Sequence, residues 1–189
     1  MKKILIICFS LVFITPIFSQ KRDITLDDLW KNYAFYPKSD RGFNSMNDGE
    51  HYSTMEKTEG GQEIIKHKFK SGKKVRTLFK SADFEIPKVG RYTFSKDEKQ
   101  LLLATETKSI YRHSSKSVYY IYNIFTDKLT KLSNDKVMYA TFSPQADKVA
   151  YVFENNLYIK NIKSGAITQV TTDGKKNHII NGASDWVYE

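Results

Sequence analysis

The feature that most constrains this chain is that it repeats itself, and at two different spacings. Thr93-Phe94-Ser95-Lys96-Asp97-Glu98-Lys99-Gln100-Leu101-Leu102-Leu103 returns as Thr141-Phe142-Ser143-Pro144-Gln145-Ala146-Asp147-Lys148-Val149-Ala150-Tyr151, an offset of 48 residues. The stretch from Tyr120 to Leu132 returns from Tyr158 to Val170, now at an offset of 38. A weaker copy precedes both, with Met46 to Tyr52 as its first turn and strand and Ile65 to Phe69, Ser71-Gly72 and Val75 to Phe79 behind them. Within each copy, short runs of Val, Ile, Tyr, Phe and Thr alternate with Asp-Gly, Ser-Gly, Thr-Asp and Asn-Asp turn signals. Each therefore reads as strand, tight turn, strand, strand, turn, strand.

A four-stranded unit recurring every 40 to 50 residues is the signature of a β-propeller blade. The expected fold is all-β: a partial propeller of four-stranded antiparallel blades, about three of them. A sandwich with look-alike hairpins is the competing reading, but it needs about ten positions to agree in order through composition alone. Three blades do not close a ring, and they leave two edges of unpaired main-chain groups. The architecture is expected to continue past Glu189.

The amino terminus is of another kind. Lys2 and Lys3, the apolar run Ile4 to Ile14 and the exit Thr15-Pro16-Ile17-Phe18-Ser19-Gln20 have the three parts of a secretory signal peptide. The run is short for a membrane span, which takes about 20 apolar residues. Residues 1–19 are thus expected to be a signal peptide cleaved near Ser19, with 20–189 as propeller. Cys8 precedes most of the apolar run, contrary to a lipid-attachment site. It is also the only cysteine, so the mature chain has neither disulfides nor a thiolate metal site. Export without disulfides favours a periplasmic or cell-surface location over a small secreted scaffold.

After cleavage, 28 basic residues face 21 acidic ones, a net charge of +7. The basic residues are scattered through strand-like segments, with Lys73-Lys74-Val75-Arg76 the densest run, so solvated faces and edge protection account for them and a nucleic-acid partner is not expected. Thr25-Leu26-Asp27-Asp28-Leu29-Trp30 combines an N-cap residue, an acidic residue three positions on and helically spaced apolar residues. One short amino-terminal helix is expected there.

The two offsets differ by ten residues, which places an insertion in the second copy, roughly Glu106 to Ser117. Loops added to a rigid scaffold are where function concentrates. Arg112 is the most useful group in this one, because a guanidinium offers a planar, permanently charged fork of donors to carboxylate, phosphate or carbonyl oxygens. On residue type alone, a solvated surface arginine is the simpler reading. No Gly-x-Ser-x-Gly elbow occurs, and His51, His67, His113 and His178 are dispersed. His113 beside Ser114 lacks an orienting acid, and sequence neighbours on a strand or loop point apart. No catalytic residue, metal ligand or cofactor is assigned.

Two segments carry a family resemblance. Asp185-Trp186-Val187-Tyr188-Glu189, after the turn Asn181-Gly182, resembles the Asp-Trp-Val-Tyr-Glu-Glu-Glu segment of the dipeptidyl peptidase IV family of serine exopeptidases, and Tyr111-Arg112-His113-Ser114 resembles that family's arginine-bearing loop. The opening Thr25 to Trp30, Phe142-Ser143-Pro144 and Val149-Ala150-Tyr151-Val152 follow in the same order. The resemblance implies an eight-bladed propeller, a following α/β-hydrolase domain with a Ser, Asp, His triad, a homodimer, and removal of X-Pro or X-Ala dipeptides from peptides with a free amino terminus. It makes Arg112 the ligand of a substrate carbonyl and aligns Glu189 with the first glutamate of the run, the binding pair being the second and third. The chain alone would then be inactive. Two other readings stand beside this: a non-catalytic periplasmic propeller that binds a protein or peptide, and a divergent, inactive family member.

Overall fold

The computed structural model describes residues 23–37, 42–185, 187 and 188. The expected signal peptide, Trp186 and Glu189 lie outside the described residues. The chain divides into two compact units, Met1–Asp40 and Arg41–Glu189. In the first, the expected helix is present as α1, Leu26–Trp30. Its capping box is complete: the Thr25 hydroxyl accepts from the Asp28 amide at 3.1 Å, and the Asp28 carboxylate accepts from the Thr25 amide at 3.2 Å. Among the described residues no helix is long and apolar enough to cross a membrane.

Among the described residues the second unit holds twelve strands in three blades of four, all paired antiparallel. Blade 1 is β1 (Phe43–Ser45), β2 (His51–Thr58), β3 (Gly61–Lys68) and β4 (Lys74–Lys80). Blade 2 is β5 (Val89–Phe94), β6 (Gln100–Ser109), β7 (Ser115–Asn123) and β8 (Lys128–Lys131). Blade 3 is β9 (Val137–Phe142), β10 (Lys148–Phe153), β11 (Asn156–Asn161) and β12 (Ile167–Gln169). The turn signals close the hairpins as expected, with Gly49, Gly72 and Gly165 all at positive φ.

Alternation along the central strands explains how the blades stack. Leu101 and Leu103 of β6 join Tyr122 of β7 in a core with Ile64, Leu78 and Phe79 of blade 1. Their neighbours Leu102 and Ala104, with Tyr119 and Ile121, face the other way onto Val137, Val149 and Tyr151 of blade 3. Blade 2 is apolar on both faces because it has a blade on each side. Burial of a leucine such as Leu103, wholly inaccessible here, contributes about 2 kcal/mol.

Polar bonds fix the blades laterally. The Asn47 side-chain amide donates to the Lys96 carbonyl at 2.8 Å, and the Gln100 amide donates to the Ala146 carbonyl at 2.7 Å. The Gln62 amide stands in for a strand, donating to the Val89 carbonyl at 2.9 Å and accepting from the Val89 amide at 2.7 Å. Lys160 crosses from β11 to donate to the carbonyls of Lys131 and Leu132, at 2.7 and 2.9 Å.

One expectation needs correction. The insertion is not a loop: β6 and β7 continue through most of it as paired strands, so it is a lengthened hairpin. Because of that extension, Lys116 and Ser117 of β7 also pair with Met138 and Val137 of β9, which merges blades 2 and 3 into one hydrogen-bonded sheet. The carboxyl-terminal segment, whose aromatic residues suggest the start of a strand, carries a turn around Asp185, with Trp186 and Glu189 outside the described residues. The Asp185 carboxylate accepts from the amides of Val187 and Tyr188 at 2.9 and 3.2 Å.

Candidate functional site

The three β-hairpins that join the second and third strand of each blade differ at one end only. In blade 3 the last pair is Phe153↔Asn156, closed by Glu154 and Asn155. In blade 1 it is Thr58↔Gly61, closed by Glu59 and Gly60. The equivalent pair in blade 2 is Thr105↔Val118, but twelve residues separate its members, so ten are added. A glutamate follows the last paired residue in each copy: Glu59, Glu106 and Glu154. Glu106 and Glu154 share a left-handed φ of 47°. Glu154, with Asn155 at φ 60°, makes a two-residue turn of the kind that suits hairpin twist. At Glu106 the chain instead forms a bulge, with Glu106 and Thr107 opposite Ser117, and runs on.

Beyond the bulge the arm is a two-stranded ribbon. Lys108 pairs with Lys116 and Ser109 with Ser115, and the Ile110 amide donates to the Ser114 carbonyl at 2.9 Å. Tyr111, Arg112 and His113 are left as a three-residue apex, all exposed. Its tip stands roughly 15 Å beyond the end of the ordinary hairpin, at about 3.3 Å per strand residue. Arg112 makes no hydrogen bond or ion pair with another described residue, so its donors are free for a ligand. Ser114 is buried, and among the described residues its hydroxyl has no hydrogen-bond partner. His113 and Ser114 are therefore not coupled as base and nucleophile.

The carboxyl-terminal segment reaches the corresponding end of blade 3. The Asn181 amide donates to the carbonyl of Asn155, in the turn equivalent to the arm, at 3.0 Å. Gly182, at φ 74°, lies over Val152, whose methyl would stand 2.9 Å from any added Cβ. Gly174 is similarly confined, 2.5 Å between a Cβ and the Asn155 carbonyl oxygen. Arg112 and the Asn181-to-Tyr188 segment thus occupy the same end of adjacent blades. Val187 and Tyr188 are exposed, Tyr188 by 82%. Considered alone, Tyr188 reads as a blade-packing aromatic. The Asx turn at Asp185 directs it outward.

Elsewhere, the titrating groups with displaced pKa belong to the scaffold. Burial raises the Tyr92 and Tyr151 phenols. Tyr122 is raised by burial and by its 2.6 Å bond to the Asp127 carboxylate. Burial lowers the Lys160 ammonium, which two carbonyls hold. Among the described residues no group of His, Cys, Asp and Glu is placed to hold a metal ion.

Sequence reasoning singled out Arg112, which stands at the apex of the arm, and did not mention the contact between Glu106 and Lys136 at its root. The Lys136 ammonium, just ahead of β9, donates to the Glu106 carbonyl at 2.9 Å and pairs with its carboxylate at 3.1 Å. The recurrence of Glu59, Glu106 and Glu154 at one blade position was the available signal.

Comparison with known proteins agrees with this architecture. The crystal structure of Porphyromonas gingivalis dipeptidyl peptidase 4 superimposes with a TM-score of 0.74 and 37% identity, over 89% of this chain and 24% of that one. "Inactive dipeptidyl peptidase 10" of Mus musculus is 36% identical over 118 residues, 59% of this chain and 15% of the relative. "Probable dipeptidyl-aminopeptidase B" of Chaetomium globosum is 36% identical over 122 residues, 60% of this chain and 13% of the relative. The chain therefore spans a small part of the length of these relatives. The sequence profile of the dipeptidyl peptidase IV N-terminal region matches residues 95–189, which contain both the arm and the segment beside it. With its blades, its arm and that match in agreement, this chain belongs to the dipeptidyl peptidase IV family, in its amino-terminal propeller region.

Proposed function

We propose that this chain is the first part of the propeller of an exported serine exopeptidase that releases X-Pro and X-Ala dipeptides from peptide amino termini. In this reading residues 1–19 direct export to the periplasm or cell surface, and residues 20–189 begin an eight-bladed propeller. A hydrolase domain further along the protein supplies the Ser, Asp, His triad. The chain by itself binds and orients, and the complete enzyme is a homodimer.

The observation that carries the reading is Arg112 at the apex of an arm that only one of the three blades possesses, with its guanidinium uncommitted. A peptide carbonyl oxygen is a fitting partner, because charge-assisted donation in two directions fixes both distance and orientation. An exopeptidase must also measure distance from a charged chain end. Carboxylates following the Asp185-to-Glu189 segment on the neighbouring blade would meet the substrate ammonium, as the family pattern implies. Between those two anchors the second residue of the substrate is held at a fixed distance from the nucleophile.

A non-catalytic reading has one specific observation in its favour. A relative designated inactive, the mouse protein, is as similar to this chain as the fungal aminopeptidase, at 36% identity. Steady-state kinetics of the full-length protein on Gly-Pro-p-nitroanilide separate the readings. Turnover is expected, with Arg112→Ala lowering kcat/KM about 100-fold, the usual scale for losing a buried charged hydrogen bond. Turnover that Arg112→Ala leaves unchanged removes Arg112 from the site. No turnover, together with peptide binding, establishes the non-catalytic propeller.

A further inference from the structure

Along the outgoing strand and apex of the arm, from Glu106 to His113, every residue is exposed, whereas Ser114 to Ser117 on the returning strand are buried or half-buried. A two-stranded ribbon contributes little stability of its own in water. A deviation of about 5° at its root moves an apex roughly 15 Å away by about 1.3 Å. Misplacement on that scale is enough to spoil substrate positioning. What holds the root therefore contributes to where Arg112 stands.

The root is held from one side, by blade 3. Ser117, wholly inaccessible, and Lys116 pair with Val137 and Met138 of β9. The Thr107 and Ser117 hydroxyls are hydrogen-bonded across the bulge at 2.8 Å. Lys136, the residue before β9, closes on the bulge itself. Its ammonium binds the Glu106 carbonyl, which the left-handed φ turns out of the ladder, and also the Glu106 carboxylate. One cation thus satisfies both the displaced backbone group and the side chain of the residue where the arm departs. The two side chains are 34% and 45% exposed, so water can replace these bonds without unfolding the blade.

We infer that Lys136, clasped on the carbonyl and carboxylate of Glu106, is a positioning residue that sets the direction of the arm and hence the place of Arg112 against a substrate. This rests on the reading of Arg112 given above. It makes the junction between blades 2 and 3 part of the binding apparatus, although Lys136 touches no substrate.

Two measurements test it. In the 189-residue chain, hydrogen exchange of Lys136→Met is compared with the unaltered protein. Amides from Lys108 to Ser117 are expected to exchange about tenfold faster, while those of β10 and β11 keep their rates. Lys136→Arg, which can also span two acceptors, restores protection. In the full-length enzyme, Lys136→Met is expected to raise KM for Gly-Pro-p-nitroanilide about tenfold with kcat changed less than about twofold, and Lys136→Arg to recover KM. Unchanged arm exchange overturns the clasp. Faster exchange with unchanged KM, where Arg112→Ala does raise KM, overturns the positioning role. If Arg112→Ala is silent as well, the substrate reading itself fails and the positioning role falls with it, while the exchange data judge the clasp separately.

Discussion

Blades 2 and 3 are copies of one unit that diverge at a single residue position. Glu106 and Glu154 follow equivalent strands and adopt the same φ of 47°. One begins a two-residue turn; the other begins a bulge that launches ten further residues. The difference shows that a left-handed residue at a hairpin end does not commit the chain to turn back. The next residue decides: Asn155 also takes positive φ and completes the turn, whereas Thr107 stays in the strand and bonds across it to Ser117. The function expected of this region grows from that choice, and the scaffold beneath is unaltered.

The strongest way to break the comparison is to make blade 2 resemble blade 3. Replacing residues 106–117 by Glu-Asn, the pair that blade 3 uses, should give a chain that unfolds cooperatively near the original urea midpoint, because the buried pairs up to Thr105↔Val118 persist. In a full-length protein with the proposed activity the same change removes Arg112 and its support, with an expected loss in kcat/KM of about 1,000-fold on Gly-Pro-p-nitroanilide. If turnover survives, the arm is ornament. If the chain does not fold, the arm is part of the scaffold and the two hairpins are not equivalent.

The blades also differ in how they are covered. Leu102 and Leu103 are adjacent in sequence but pack onto blades 3 and 1 respectively, and each is buried. Truncating either to alanine should cost about 3 kcal/mol, measured as a shift in urea midpoint at unchanged slope. On the face of β11 away from blade 2, Ile159 is only partly buried and lies opposite Ala150. Ile159→Ala should cost under about 1.5 kcal/mol. Equal costs at Leu103 and Ile159 would contradict the two-faced character assigned to blade 2.

Strain gives a smaller test. A non-glycine residue in the left-handed region costs about 1 kcal/mol. Glu154→Gly should therefore stabilise the chain by about that amount in urea unfolding, since the Glu154 carbonyl keeps its bond from the Asn156 amide. Glu106→Gly relieves the same strain but forfeits the carboxylate pair with Lys136, and its net effect should lie within about 0.5 kcal/mol of zero. A matching gain at both positions would mean that the Lys136 ion pair contributes nothing.

Much of this was legible in the sequence, for identifiable reasons. Hairpin turns within the blades follow from Asp48-Gly49, Ser71-Gly72, Thr126-Asp127 and Ser164-Gly165, residues whose conformational preferences are local. The two offsets alone fixed the size and place of the insertion, and with it Arg112. What escaped depended on distant partners. Glu106-Thr107-Lys108-Ser109 is polar on both faces, so no apolar alternation marked it as strand, and its pairing rests on backbone bonds and on Thr107 meeting Ser117. Lys136 reaches Glu106 across 30 residues. Tyr188 reads as a packing residue but is exposed, next to a turn that Asp185 closes through bonds from the following amides.

The finest difference between the two hairpins is in how they treat buried polar groups. At the blade 3 turn, Asn156 is buried and fully engaged: its amide donates to the Glu154 carbonyl, and its oxygen accepts from the Thr171 hydroxyl and the Gly174 amide. In the arm, Ser114 is 2% exposed and its hydroxyl has no partner among the described residues. A buried hydroxyl without a partner costs about 1 kcal/mol or more, and sites that serve binding often retain such costs. Ser114→Ala should therefore stabilise the chain, by up to about 1 kcal/mol in urea unfolding, whereas Asn156→Ala should destabilise it by about 2 kcal/mol by stranding the Gly174 amide. Because the Ser114 carbonyl still closes the apex onto Ile110, KM of a full-length protein with the proposed activity should not change with Ser114→Ala. A rise in KM would show that the hydroxyl does find a partner when substrate is bound, which would make Ser114 part of the grip and the arm's apparent cost a prepared contact.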